Sequence, residues 1–257
     1  MRISIIFLSL ISLAAQAAMD EFSAHRRPGV SYQRYMQEAR ARMRSGEVFE
    51  ESPLSVAQYY SRALEAGLPK ATNWTSQSLT KRRFTQLRDD RSLVWRKQPD
   101  FRRRISWLYP DDGCYARASM VMRAAVKRSL PVPKKVFAFG DLRASTRNSP
   151  TGYVTWWYHV APVVEVKKQK YVLDPAIEPK GPLRLRDWLA RMGTPERMEV
   201  AVCNSGTYGP SSNCEALTDG VEQQAGQTQD YFLTLEWDRL VELSRDPRRE
   251  LGANPPW

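Results

Sequence analysis

The stretch from Asp111 to Asp174 limits the possible folds more than any other part of the chain. It opens with Asp111-Asp112-Gly113-Cys114-Tyr115-Ala116-Arg117-Ala118, continues through Trp156-Trp157-Tyr158-His159-Val160-Ala161, and closes on Tyr171-Val172-Leu173-Asp174-Pro175. Asp111 or Asp112 can cap a helix, and Gly113 lets the backbone turn sharply into it. Tyr115, Ala118, Met122, Ala125 and Val126 then recur as a buried stripe until Ser129 and Pro131 end the run. Beyond the helix, residues 136–139 read as a strand, 140–151 as a polar loop and 154–166 as a long strand. Residues 167–170 make a turn and 170–173 return. A helix followed by antiparallel strands predicts an α+β fold.

Three residues of this stretch carry chemistry. Cys114 falls in the first helical turn, where free N–H groups and the positive end of the helix favour a thiolate; the competing reading is a small buried hydrophobe. His159 is one of two histidines. The other, His25, belongs to a polar, proline-containing segment (19–30) expected to be a loose arm, so imidazole chemistry in the core must use His159. Asp174 ends an apolar run, as an ordinary strand terminator does, or accepts the N–H of the His159 ring and fixes its tautomer. A two-residue turn at Lys168-Gln169 places Asp174 opposite Val163. Contact with His159 then needs a shifted register, which a bulge near Pro162 would supply.

Asp112-Gly113-Cys114-Tyr115-Ala116-Arg117-Ala118, Gly140-Asp141-Leu142-Arg143-Ala144-Ser145-Thr146, Trp156 with Tyr158-His159-Val160-Ala161, and Asp174-Pro175 occur in one order. In that order they resemble the bacterial protein-glutaminases, in the transglutaminase-like branch of the papain-like cysteine enzymes. The resemblance spans roughly residues 107–214. It implies a papain-like/transglutaminase-like core, a nucleophile helix packed on an antiparallel sheet, preceded by an N-terminal helical segment. It further implies a Cys114–His159–Asp174 triad that hydrolyses glutamine side-chain amides of proteins through a thioester. Ser145, Trp156, Trp157 and Tyr158 are the substrate-binding candidates. The loop holding Ser145 either gives the second oxyanion donor or is a plain turn, and the bulky Trp157 between Trp156 and Tyr158 departs from the family pattern. Transglutaminase-type cross-linking and a cell-wall cysteine peptidase are the enzymatic alternatives. A non-enzymatic, basic envelope-binding protein is the alternative of another class.

Met1-Arg2, the apolar run from Ile3 to Leu13 and Ala15-Gln16-Ala17 read as a secretory signal peptide over 1–17. The run is about half of the ~20 residues that span a bilayer, so a protein exported to the periplasm or beyond is expected. Three cysteines leave one unpaired. Cys203 and Cys214 flank a turn-rich loop that a disulfide would close, leaving Cys114 free. Residues 18–94 read as a helical accessory region, with helices over 31–46, 56–66 and 76–93; the resemblance to protein-glutaminases implies a removable pro-segment as the other reading. Residues 95–245 read as the catalytic domain and 246–257 as a loose basic tail. Residues 231–243 fit one helix or a strand leading into one.

The net charge of +11 reads either as a plain soluble basic surface or as attraction to acidic proteins or an anionic envelope, as partners beside the glutamine-containing substrate. Zinc-finger, RNA-binding and basic-zipper patterns are missing, so nucleic acid is not expected. Metal-ligand and phosphate-loop patterns are missing too, so neither metal nor cofactor is expected. The chain is expected to be a monomer.

Overall fold

The computed structural model describes residues 22–44, 67–217 and 222–256. The expected leader and the helix expected over 56–66 lie outside these. In chain order the elements are α1 (Tyr32–Arg44), β1 (Thr72–Asn73), α2 (Gln77–Arg88), β2 (Leu93–Trp95), β3 (Gln98–Arg103) and α3 (Cys114–Lys127). There follow β4 (Lys134–Ser145), β5 (Tyr153–Val166), β6 (Gln169–Val172), β7 (Leu183–Arg184), α4 (Leu185–Ala190), β8 (Glu199–Cys203), α5 (Glu222–Glu242) and α6 (Pro247–Leu251).

Helix α3 is buried on every side, from Cys114 through Met122 and again at Ala124 and Ala125. A helix apolar all round belongs between layers. The sheet covers α3 through β5, α5 packs on it from another side, and α2 touches it as well. The main sheet has the order β7-β6-β5-β4-β8, antiparallel throughout, with β1 added in parallel to β5 at Thr72↔Val164. This is an α+β arrangement in which the helix that opens on Cys114 lies across a mainly antiparallel sheet.

Several expected boundaries move. Strand β4 continues through the expected loop as far as Ser145, because Leu142 and Ala144 are buried while Asp141, Arg143 and Ser145 are exposed, the alternation of a half-buried strand. The pairing with β5 absorbs Gly140-Asp141 as an irregularity between Phe139 and Leu142. Helix α2 ends at Arg88, and the expected lead-in before Pro110 is a small β2–β3 hairpin. That hairpin docks on α5 through Trp95 against Trp237 (5.2 Å) and the buried Arg103–Glu236 pair (2.7 Å). Residues 222–242 form one helix.

Two larger expectations also change. Residues 247–251 of the expected loose tail form α6. Asp246 caps it by accepting the Arg248 N–H (2.9 Å), Pro247 fits its first turn, and Leu251 is buried. The segment 22–30, expected to be loose, is docked on the core: Phe22 and Ala24 are buried and His25 bridges to Trp156. Residues 72–94, assigned by pattern to the accessory region, are built into the core. Trp74 and Phe84 belong to the main hydrophobic cluster, and the Trp107 indole donates to the Arg88 carbonyl (3.0 Å).

Candidate active site

Gly113 sits at the mouth of α3 with φ +81°, and a Cβ there would lie 2.6 Å from the Phe232 ring. Both the left-handed backbone and the close approach of α5 require glycine. Neither aspartate caps the helix as expected, since α3 has no side-chain cap. Asp111 instead forms a two-pronged pair with Arg239 (2.6 and 3.2 Å). Asp112 accepts from the Gly113 N–H (2.7 Å), the Ala24 N–H (2.9 Å) and the Ser23 hydroxyl (2.5 Å).

Cys114 is the free cysteine and is 2% exposed; Cys203 and Cys214 are joined in a disulfide. Burial pushes the Cys114 thiol up to about 12. The Arg117 charge and the Val160 backbone N–H pull it down, and Asp112 and Asp174 add to the rise.

His159 lies in the middle of β5, opposite Ala138. Its Nε2 is 2.7 Å from Asp174 Oδ2, whereas its Nδ1 is buried without a hydrogen-bond partner. The ring stacks on Trp156 (4.5 Å) and on Trp188 (5.6 Å). The Trp188 indole donates to the same Asp174 oxygen (2.9 Å), and the Ala176 N–H donates to Oδ1 (3.2 Å). Burial raises the acid constant of Asp174, but the imidazole's charge and hydrogen bond, followed by the indole and Arg117, outweigh it and hold the carboxyl below the ordinary aspartate range.

The pairing of His159 with Asp174 has a simple cause. The hairpin turns at Lys167-Lys168, both with positive φ (51° and 66°), one residue earlier than expected. Val163 therefore faces Val172, and the Leu173 N–H reaches the Pro162 carbonyl (2.8 Å). Asp174 then follows beside Ala161, diagonal to His159 on one face, where side chains two positions apart across a sheet meet. The expected bulge near Pro162 is absent from this pairing.

The substrate-binding candidates separate. Trp156 stacks on His159, and its indole N–H is engaged by the Pro110 and Asp111 carbonyls (3.0 Å each), tying β5 to the turn before Cys114. Trp157 stacks on Tyr35 (5.0 Å) and donates to the Ser23 carbonyl (2.8 Å), and the Tyr158 hydroxyl donates to the Phe22 carbonyl. Both therefore hold the N-terminal segment. Ser145 is exposed and pairs with Tyr153 at the far end of β4–β5. At about 3.3 Å per residue, six strand residues separate that end from His159 by roughly 20 Å, so Ser145 is no oxyanion donor. Trp188, Arg117 and Asp112 are the site residues that sequence reasoning missed. A tryptophan in a short helix gives no sign of a carboxylate partner, but Arg117 lay in plain view one turn beyond Cys114.

The crystal structure of a pro-protein-glutaminase is similar over 77% of this chain and 67% of its own, at 20% identity and a TM-score of 0.46. That of a protein-glutaminase is similar over 61% and 88%, at 22% identity and 0.45. The NMR structure of protein-glutaminase from Chryseobacterium proteolyticum is similar over 71% and 92%, at 22% identity and 0.48. No curated protein sequence matches the chain. Residues 80–192 match the sequence profile of a family described as Glutaminase. The matched stretch carries Cys114, His159 and Asp174.

Proposed function

We propose that the chain hydrolyses glutamine side-chain amides in proteins, with Cys114 as nucleophile, His159 as general base and acid, and Asp174 as the residue that orients the imidazole. The observation that carries this reading is the His159–Asp174 contact, which commits Nε2–H to the carboxylate and leaves Nδ1 as the unbonded, buried nitrogen of the ring. Nδ1 takes the thiol proton as sulfur attacks the amide carbon. The oxyanion meets the Cys114 N–H, an unpaired donor of the first turn of α3. The imidazolium protonates the amide nitrogen, and collapse of the intermediate breaks the C–N bond, releasing ammonia and leaving the thioester. Water, deprotonated by His159, then cleaves the thioester to glutamate and restores the thiol.

A carbonyl must reach the sulfur for this to occur, and at 2% exposure Cys114 is not open to a protein substrate. The neighbouring surface is occupied by the N-terminal segment, whose backbone is held by Asp112, Trp157 and Tyr158 and whose Phe22 packs on Tyr115 (5.8 Å) and Tyr208 (5.1 Å). The active form is therefore one in which residues 22–27 have left. Any removable pro-segment ends before Thr72, since β1 and α2 belong to the core. Export is supported by the leader-like residues 1–17 and by the disulfide. Among the described residues no helix is long and apolar enough to cross a membrane.

The test is ammonia release from a glutamine-rich protein, with and without a primary amine. Ammonia with little amine incorporation is expected, and none of it from Cys114→Ala. Efficient amine incorporation would establish a transferase instead, and backbone fragments a peptidase.

A further inference from the structure

The Arg117 side chain is 2% exposed and sits one turn beyond Cys114 on α3, the spacing that places two side chains on one helix face. Its Nη1 donates to the carbonyls of Tyr109 (2.8 Å) and Asp112 (2.6 Å), while its Nη2 is buried without a hydrogen-bond partner. The hydrogen bonds of this guanidinium thus go to carbonyls rather than to a carboxylate. A buried cation without a bonded counter-ion is costly and calls for an anion nearby.

The ionisable groups around Cys114 narrow the choice. Tyr115 lies on its own helix, Asp112 on the preceding turn, Tyr158 and His159 on β5 and Asp174 after β6, with Tyr208 behind Tyr115. Arg117 is the one permanent cation of this group, and the imidazole of His159 is committed to Asp174.

We propose that Arg117 is the standing counter-charge of the Cys114 thiolate, a positioning residue that also pins the carbonyls from which the nucleophile's turn departs. Its position supports both roles: the charge lies on the thiol's side of α3, and Asp112, whose carbonyl it holds, leads through Gly113 directly into Cys114. The proposal rests on reading Cys114 as the nucleophile, but its test reads the thiol and not deamidation.

The experiment measures the rate at which iodoacetamide alkylates Cys114 at pH 8 in the full chain, comparing wild type, Arg117→Gln and Arg117→Lys. A nearby opposite charge shifts an acid constant by about 1–3 units, so R117Q should react at least about tenfold more slowly, whereas R117K should stay within about threefold of wild type. A purely structural arginine gives the opposite sign, because loosening the turn exposes the thiol and speeds alkylation. R117Q reacting as fast as wild type or faster, or R117K slowing as much as R117Q, overturns the proposal. Should R117Q fail to fold, Cys114→Asp and Cys114→Asn are compared in the His159→Gln background. C114D should melt above C114N, because Arg117 then meets a permanent anion, and a lower Tm for C114D refutes it. Loss of the deamidase reading, with C114A still releasing ammonia, would leave these rates unchanged and so can be told apart.

Discussion

Asp112 and Asp174 are two carboxylates enclosed near the same thiol, and their surroundings drive them in opposite directions. Burial raises both. At Asp112 the Ser23 hydroxyl, the Ala24 and Gly113 N–H groups and the more distant Arg117 only partly offset the rise, and the carboxyl stays above its ordinary range. At Asp174 the imidazole of His159 reverses it. The difference lies in the partners: one carboxylate faces a ring that can carry a proton, the other mainly neutral donors, two of them from a segment that the proposed active form lacks. In the proposed active form Asp174 keeps all of its partners, whereas Asp112 loses the two that Ser23 and Ala24 supply.

The largest effect expected on this contrast is at the reacting groups. Cys114→Ala or His159→Ala should lower kcat for ammonia release by at least about a thousandfold, because triad members act as a unit. Asp174→Asn should cost on the order of 10²–10⁴, through a wrongly oriented ring. Loss of less than tenfold in any of the three would break the assignment of roles. Next in size is removal of the N-terminal segment. Cutting after Arg27 should raise both deamidation and Cys114 alkylation by about tenfold or more, since the closed population no longer competes. Unchanged rates would mean that the segment is no barrier.

Opening the disulfide follows. Cys203 and Cys214 are 11 residues apart, and a loop of that size predicts a loss of about 2–3 kcal/mol for Cys203→Ser with Cys214→Ser, read as a lower midpoint in urea. The effect should be felt on the Asp112 side, where Tyr208 of this loop packs against Tyr115 (5.2 Å).

Stability against pH separates the two aspartates more finely. The folded acid constant of Asp174 is depressed, so its contribution is present above the usual aspartate value of about 3.9 and is lost as pH falls through the lower folded value. For Asp112 the folded constant is raised, so its contribution is present below about 3.9 and is lost as pH climbs through the higher folded value. D174N should therefore destabilise the chain at pH 7 more than at pH 3, and D112N less at pH 7 than at pH 3. The same slope in both variants would erase the contrast. The smallest effect belongs to Trp188→Phe, which removes one hydrogen bond to Asp174 at about 1 kcal/mol and should lower kcat only a few-fold.

The hairpin that brings His159 and Asp174 together is readable from period-two patterning, but its register is not. Lys167-Lys168 adopt two positive φ angles without the Asn-Gly or Asp-Gly signature that marks such turns. Gly140-Asp141 looks like the start of a loop and is in fact an irregularity that β4 passes through. The N-terminal segment has no periodicity to read, because its order comes from partners about 90 residues or more away, Asp112 and Trp157. Helix α6 was legible in Asp246-Pro247, a cap followed by a proline suited to the first turn, and was hidden by the charge around it.

The most direct test of the central claim is the intact mass of a glutamine-rich protein incubated with the trimmed chain. Each glutamine converted to glutamate adds about 1 Da, with ammonia released in equal amount. The account predicts a ladder of such gains with an unbroken backbone, absent for Cys114→Ala. A substrate whose mass stays unchanged, or the same ladder from Cys114→Ala, would contradict it.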